Sequence, residues 1–319
     1  MRFWLLQAIV PWLLAGPYTT ALSIQVSGLY RYAVKGLSAD ELSAVHLSTA
    51  GETFPDDRRF ALLYKAKRDK FNGQDWLHKE NFLCAFTDPA LMASLHSTYD
   101  IVVDVDGQTR RMLQIRDRTS QKILLEPTDL STPEGRSQLG DLLSTLSGQE
   151  VVCVTANTVN KEEQNEPHRF QFGNTSSGYK QNNGDTRTIH VINKNTVDAV
   201  SKTIGIPLDP RRFRPNLVID GPPPFAEFDW VDNQQSLLTP DGRGRLRALN
   251  RTVRCQGISL DPFDPVHGSK EIDIPGLLTK HFPDTGPFLG IYASIDQAPL
   301  SLKLGDELKL LPSSVAKAF

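Results

Sequence analysis

The chain has 319 residues, enough for two domains or one large one, and its 39% hydrophobic and 23% charged residues are ordinary for a globular protein. Its net charge of −2 gives no strong field that would argue for a nucleic-acid partner. The three cysteines, Cys84, Cys153 and Cys255, are far apart; this excludes the local spacings of zinc ribbons and iron–sulfur clusters, and the odd count argues against a disulfide framework.

Residues 1–22 read as a separate segment. Arg2 precedes an apolar run from Phe3 to Ala15. That run is short for a membrane span, which needs roughly 20 residues, and matches the hydrophobic region of a targeting peptide. The readings are a cleaved targeting segment or a retained anchor, so membrane association through residues 1–22 is an expectation. Two glycosylation sequons, Asn174-Thr175-Ser176 and Asn250-Arg251-Thr252, are noted; the second lies five residues before Cys255, where a glycan would crowd a site.

From residue 23 the alternation of Ile24, Val26 and Leu29 predicts a strand, with Lys35-Gly36 as the following turn. Arg59–Tyr64 predicts a second strand and Lys67–Gly73 a polar turn. A short helix is expected over Ala90–Tyr99. Ile101–Val105, Arg111–Ile115 and Lys122–Glu126 follow as a meander. Gly135–Leu146 is an amphipathic helix with Leu139, Leu142, Leu143 and Leu146 on one face and Gly148 as its stop. Glu150–Thr155 is another strand. The polar stretch Asn160–Asp185 is the best domain boundary. Thr188–Ile192 reads as a strand. Thr196 is expected to cap a helix bearing Val197, Val200 and Ile204 that stops at Gly205. The chain then returns to strand and turn, ending in Leu302–Leu311 around Gly305-Asp306. A β-rich inventory with short helices points to barrels or sandwiches. There is no Gly-rich dinucleotide or phosphate-loop motif.

Four segments place polar residues where strands meet turns. They are Tyr30–Leu37, Asp56–Leu62, Arg211–Ile219 and Asn250–Pro262, the last containing Arg254-Cys255. Lys and Arg at such positions suit an anionic group. A thiol beside a guanidinium is biased toward thiolate, which binds metal or attacks. Three basic segments and one thiol therefore suggest a phosphate-bearing cofactor beside a soft metal ligand. Plainer readings stand beside each residue. Cys255 taken alone fits an inert core thiol, and Lys35 a solvated turn lysine. Arg211, Arg212 and Arg214 fit an exposed basic patch, and Asn216 a turn hydrogen-bonder. Alternation along a strand puts one of Arg58 and Arg59 inward, and Arg59 reads as a surface partner for Asp56 or Asp57. Pro215 favours extended backbone at Arg214. Cys84 and Cys153 sit in apolar runs and read as core. His78, His190 and His267 read as structural or exposed. Glu227 and Asp229 are acid–base candidates, more commonly surface carboxylates. Asp261 reads as fixing the loop after Cys255.

The ordered marks Tyr32-x-x-Lys35, Asp57-Arg58-Arg59-Phe60, Phe213-Arg214-Pro215-Asn216, Phe225-Ala226-Glu227-x-x-Trp230, Arg254-Cys255 with Asp261-Pro262, Gly290-x-Tyr292 and Gly305-Asp306 run from about residue 24 to the C-terminus. In this the chain resembles MOSC-domain proteins with their N-terminal β-barrel companion, and among them the mitochondrial amidoxime-reducing component family. The resemblance implies a mainly β fold with short helices. It divides the chain into a segment at 1–22, an N-terminal β-barrel domain at 23–158 and a β-barrel MOSC domain at 159–319. It implies an oxidoreductase carrying the molybdenum cofactor, with Cys255 as catalytic residue and metal ligand. Lys35, Arg58, Arg214, Asn216 and Arg254 would bind the cofactor's pterin and phosphate. The substrate would be a small N-hydroxylated compound, and electrons would come from a cytochrome b5-type donor and its NADH reductase. The resemblance also implies a membrane-associated, mitochondrial protein, whereas the apolar N-terminal segment alone fits the secretory pathway and endoplasmic reticulum. Alternatives are a carrier of molybdenum cofactor or sulfur that works without turnover, and a degenerate binding module. Two departures stand out. Gly36 occupies a position where many relatives have a hydroxyl residue. Around Trp76-Leu77-His78-Lys79 an expected arginine is missing, and Lys79 would serve there as a point charge.

Overall fold

A computed structural model describes residues 23–72, 77–156, 171–172, 187–259, 261, 263 and 272–312. The segment at 1–22, the loop at 160–170 and 173–185, the first sequon and Trp76 lie outside the described residues. In chain order the strands and helices begin with β1 (Ile24–Arg31), β2 (Asp40–Glu41), β3 (Ala44–Leu47), β4 (Phe60–Tyr64) and β5 (Phe82–Leu83). Next come α1 (Pro89–Ser94), β6 (Leu95–Val103), β7 (Thr109–Asp117), β8 (Ile123–Asp129), α2 (Pro133–Ser147) and β9 (Val151–Thr155). The second half holds β10 (Ile189–Asn193), α3 (Lys194–Ile204), β11 (Leu217–Asp220), α4 (Ala226–Asp232), β12 (Ser236–Leu238) and β13 (Arg245–Val253). It ends in α5 (Ile274–His281), β14 (Phe288–Gln297), β15 (Leu300–Lys303) and β16 (Glu307–Leu311). The fold is mainly β with short helices.

Seven strands close a barrel in the order β11-β10-β14-β13-β12-β16-β1, with β1 pairing back onto β11. Closure removes the open edges that a sheet would otherwise expose. Only β10 and β11 run parallel in this ring, and α3 makes the crossover between them. In β1, Ile24 and Val26 point inward while Gln25 and Ser27 are exposed. A register shift between Val26 and Gly28 then moves the inward position to Leu29, so a bulge explains why the apolar spacing departs from strict alternation. The interior is filled by Ile24, Val26, Leu29, Val191, Leu217, Ile219, Leu246, Ile291 and Ile295. Every residue of β10 is buried, because one face meets this interior and Ile192 on the other packs with Val197 and Val200 of α3 and Leu278 of α5.

The residues between β3 and β10 form two three-stranded sheets, β5-β4-β9 and β6-β7-β8. They share a second core with Leu139 and Leu143 of α2, whose left-handed Gly148 ends the helix as anticipated. Two local expectations differ. The helix expected over 90–99 stops at Ser94, because Leu95, Ser97 and Tyr99 alternate inward and pair with β7 along the whole of β6; ladder pairing overrides local propensity. The cap of α3 is Asn193, whose side chain accepts from Asn195 N. Thr196 is one turn in, its hydroxyl bonded to the Glu227 carboxylate and accepting from Phe225 N.

The membrane-associated location expected from the sequence is corrected here. Among the described residues no helix is long and apolar enough to cross a membrane, and the longest, α2, has 15 residues, where a span needs roughly 20 apolar ones.

Candidate functional site

Cys255 follows β13 at the entry to a single 3-10 turn, Gln256–Ile258, and is exposed. It stands on the wall of a cavity of about 150 Å³. The other walls include Lys35, Arg58, Lys79, His190, Arg214 and Arg254. Lys35 belongs to the turn after β1, tied by its N–H to Phe60 O at 2.8 Å. Arg58 precedes β4, Lys79 opens the 3-10 turn Lys79–Asn81, and Arg254 directly follows β13. Five basic side chains from five stretches thus line one cavity with the thiol.

Two of them sit on unusual backbone. Arg58 has φ 52° and Arg214 φ 56°, in the left-handed region that bulky residues avoid. Arg214 closes the 3-10 turn Pro210–Phe213 with its N–H bonded to Arg211 O. This overrides the extended conformation expected before Pro215. Such backbone persists only where surrounding structure holds it and is concentrated at functional sites.

The polar contacts separate holding groups from groups that are held. Asp57, fully buried, accepts from Tyr32 N at 2.9 Å, from Gln171 Nε2 at 2.7 Å and from Arg58. Arg58 also donates to Arg214 O at 2.9 Å and Asn216 Oδ1 at 3.4 Å. Asn216 is fully buried: its Oδ1 accepts from His190 N as well, and its Nδ2 donates to Tyr30 O at 3.2 Å. Its side chain is therefore spent on joining β1, β10 and Arg58, and it does not line the cavity. Arg59 is buried rather than on the surface, and pairs with Asp56 at 2.9 Å.

Arg214 and Arg254 are differently placed. Arg214 Nη1 donates to Leu37 O at 2.9 Å while Nη2 is buried with no partner. Arg254 Nη2 donates to Phe213 O at 3.0 Å while Nε is buried with no partner. Neither meets a carboxylate at ion-pair distance among the described residues. Burial pulls the Arg214 guanidinium down to about 10 and lowers Arg254 as well. Lys35 is lowered, first by burial and then by Arg214, Arg58 and Lys79, with the Cys84 thiol opposing. A buried cationic site short of anions favours an anionic ligand.

The Cys255 thiol responds to the same field. Partial burial pushes it up, yet the Gly257 N–H, Lys79 and Arg254 outweigh that and hold it below its ordinary value. Lys79 thus reaches the thiol as a point charge. The sequence suggests a structural or exposed His190, but the residue lines the cavity. Its Nδ1 lies 3.2 Å from Arg214 O and its Nε2 3.4 Å from Arg254 Nη1. A carbonyl only accepts and a guanidinium only donates, which fixes the proton on Nδ1. Burial first, and Arg254 second, hold His190 far below its usual range, so it stays neutral. Tyr292 packs on it at 5.2 Å and also lines the cavity. Cys84, read as core, is buried and lines the cavity too. The signal for His190 was faint: Gly290 has φ 76°, and a Cβ there would lie 2.7 Å from Val191 O and 3.1 Å from His190 Nε2.

Of the remaining candidates, Arg212 is buried and clamps Ile258 O and Ser259 O at 2.6 and 2.7 Å, with Asp261 at 3.4 Å. Asp261 thereby helps fix the loop after Cys255. Arg211 pairs with Asp209 and Glu41. The three neighbouring arginines therefore have three separate roles instead of forming one patch. Glu227 is buried in α4, bonded to Thr196 and Asn193, and burial raises it to about 7.

Among the described residues no group of three or more His, Cys, Asp or Glu could hold a metal ion, so a metal at Cys255 would take most of its ligands from outside the protein. The donors fit a cofactor that brings its own sulfur ligands and an anionic arm: one thiolate, with unpartnered buried N–H groups on Arg214 and Arg254. The family model for the MOSC domain matches residues 178–309. Comparison with curated proteins gave no match. Arg214, Asn216, Arg254 and Cys255 lie inside the matched span, whereas Lys35, Arg58 and the barrel strand β1 lie outside it. MOSC domains as a class are associated with molybdenum-cofactor binding. The chain therefore carries a MOSC domain at residues 178–309.

Proposed function

We propose that this protein is a molybdenum-cofactor-dependent oxidoreductase that reduces N-hydroxylated compounds, as its resemblance to the amidoxime-reducing component family implies. The observation that carries the reading is the exposed Cys255 thiol, biased toward thiolate, in a cavity walled by Lys35, Arg58, Lys79, Arg214 and Arg254. Cys255 would hold the metal. Lys35, Arg58, Arg214 and Arg254 would hold the pterin and its phosphate, while Asn216 keeps Arg58 in place. When bound, the cofactor supplies the two-electron chemistry that removes oxygen from the N-hydroxyl group. The chain's part is positional and electrostatic. Lys79 and Arg254 bias Cys255 toward thiolate, and neutral His190 holds Arg254 without adding a charge. Electrons would come from a cytochrome b5-type donor and its NADH-dependent reductase.

Elemental analysis of protein purified from a cofactor-competent host should find about one molybdenum per chain, since Cys255 is the one exposed thiol among the described residues. Cys255→Ala should keep its melting temperature and lose reduction of an N-hydroxylated amidine. Turnover at the wild-type rate would refute the mechanism. The same exposed thiolate also suits a carrier that holds a persulfide; labile sulfur on Cys255 with no bound metal would favour that reading.

A further inference from the structure

A larger groove of about 500 Å³ adjoins the Cys255 cavity and shares Gly36, Ala85, Arg214 and Gly257 with it. This is the size of a small-molecule site. Leu37, Ala85, Met92 and Ala93 provide an apolar wall. The acidic groups of the groove are mostly paired: Asp40 with Arg31 at 3.4 Å and Glu41 with Arg211 at 2.9 Å, while Asp100 is exposed. Arg212 is committed to Ile258, Ser259 and Asp261.

Two guanidiniums of the groove have no carboxylate at ion-pair distance among the described residues. Arg118 donates from Nε to Ala93 O at 2.9 Å and from Nη2 to Leu95 O at 2.8 Å and Ser38 Oγ at 3.2 Å. Its Nη1 makes no hydrogen bond among the described residues. Arg214 donates to Leu37 O, the residue before Ser38, so the two arginines grip consecutive residues of one turn. A third group is unspent: Tyr32 is 1% exposed and its hydroxyl has no partner among the described residues, while Arg214 lies over its ring at 4.2 Å. Buried polar groups are ordinarily hydrogen-bonded, so Arg214 Nη2 and the Tyr32 hydroxyl, without a partner among the described residues, leave unused hydrogen-bonding capacity in two residues that line the groove.

We infer that this groove is a second binding site, for a small organic anion whose carboxylate or similar oxyanion lies with Arg118, Arg214 and Tyr32 and whose apolar body rests on Leu37, Ala85, Met92 and Ala93. An oxyanion there could come from a free ligand or from the phosphate arm of a cofactor in the adjoining cavity; the inference commits to the free ligand. It shares Arg214 with the proposed cofactor site, so the cofactor-loaded form is the arm of the test that separates the two.

The test uses the full chain, cofactor-free and cofactor-loaded, with benzoate as probe and neutral benzamide as its isostere, read by ligand-observed NMR titration. Benzoate should bind both forms, about tenfold more tightly than benzamide, the factor expected for a charge-assisted hydrogen bond. Arg118→Met should remove that preference, leaving benzamide unchanged. Tyr32→Phe keeps the ring, so the cofactor-free fold should be as stable as wild type or more so, while benzoate binds more weakly; this variant carries the test if Arg118→Met fails to fold. Equal binding of benzoate and benzamide overturns the inference, as does a destabilised Tyr32→Phe. Loss of benzoate binding on cofactor loading also overturns it, and assigns the oxyanion to the cofactor's own phosphate.

Discussion

Replacing Gly36 by serine would restore the hydroxyl that many relatives carry after the lysine, and the structure predicts that it damages the protein. Gly36 has φ +96°, where a side chain costs about 1–3 kcal/mol. An added Cβ would also lie 2.9 Å from Cys84 Cα and 3.0 Å from Met92 Sδ. The first contact is to backbone, so the wall of both cavities must shift; overpacking of this kind costs about 1–3 kcal/mol more. Together these should lower the melting temperature by roughly 3–9 °C in a chain of this size. Gly51 provides the control. Its φ is +80° but nothing lies within 4 Å of the added Cβ, so Gly51→Ser should show the conformational cost alone. Thermal unfolding by circular dichroism compares the two. If Gly36→Ser melts with Gly51→Ser, the steric half of the reasoning fails. If both melt with wild type, the conformational half fails as well.

Further outcomes follow from the charges. Lys79→Met removes a cation beside the Cys255 thiol; alkylation of Cys255 by iodoacetamide should then need a higher pH, and an unshifted pH profile would show that Lys79 does not act on the thiol. Glu227 titrates near 7 in the fold, against 4.5 when unfolded. Because its folded pKa is raised, its stabilising share is complete below pH 4.5 and is lost as pH rises through 7. Glu227→Gln abolishes that loss, so its stability relative to wild type should grow by up to about 3 kcal/mol between those pH values. Urea denaturation at pH 4.5 and pH 8 reads this, and an unchanged difference would refute the burial argument.

Much of the barrel was legible because period-two alternation is a direct imprint of one buried face. Ile24, Val26 and Leu29 signalled β1 even though the bulge displaced the last of them. The helix expected to reach Tyr99 was misjudged because pairing with β7, a partner in sequence but not in local propensity, converts Leu95–Tyr99 to strand. At the site, Lys35, Arg58, Arg214, Arg254 and Cys255 could be proposed from motifs, and the structure brings them to one cavity. Asn216 shows the limit: the sequence marks it as important, but only three-dimensional contacts reveal that its amide is consumed by Tyr30, Arg58 and His190. His190 and Cys84 carry no local signal, since each lies in an apolar run and owes its place in the cavity to a neighbouring strand or turn.

The seam of the barrel bears on how the protein comes to exist. β1 joins the ring between β11 and β16, so the strand nearest the start of the described chain must wait for strands made far later. Pairings of such long separation slow folding, because the loop is closed before the contacts that reward it form. Lys35 follows β1, and the N–H of Arg58 is bonded to Tyr32 O just beyond it; the basic wall of the cavity is therefore assembled in the same event that shuts the seam. A fragment beginning at residue 187 would present β11 and β16 as two unpaired edges. It should aggregate on its own and be recovered in soluble form when a peptide spanning β1 is supplied, with sedimentation of the mixture as the measure.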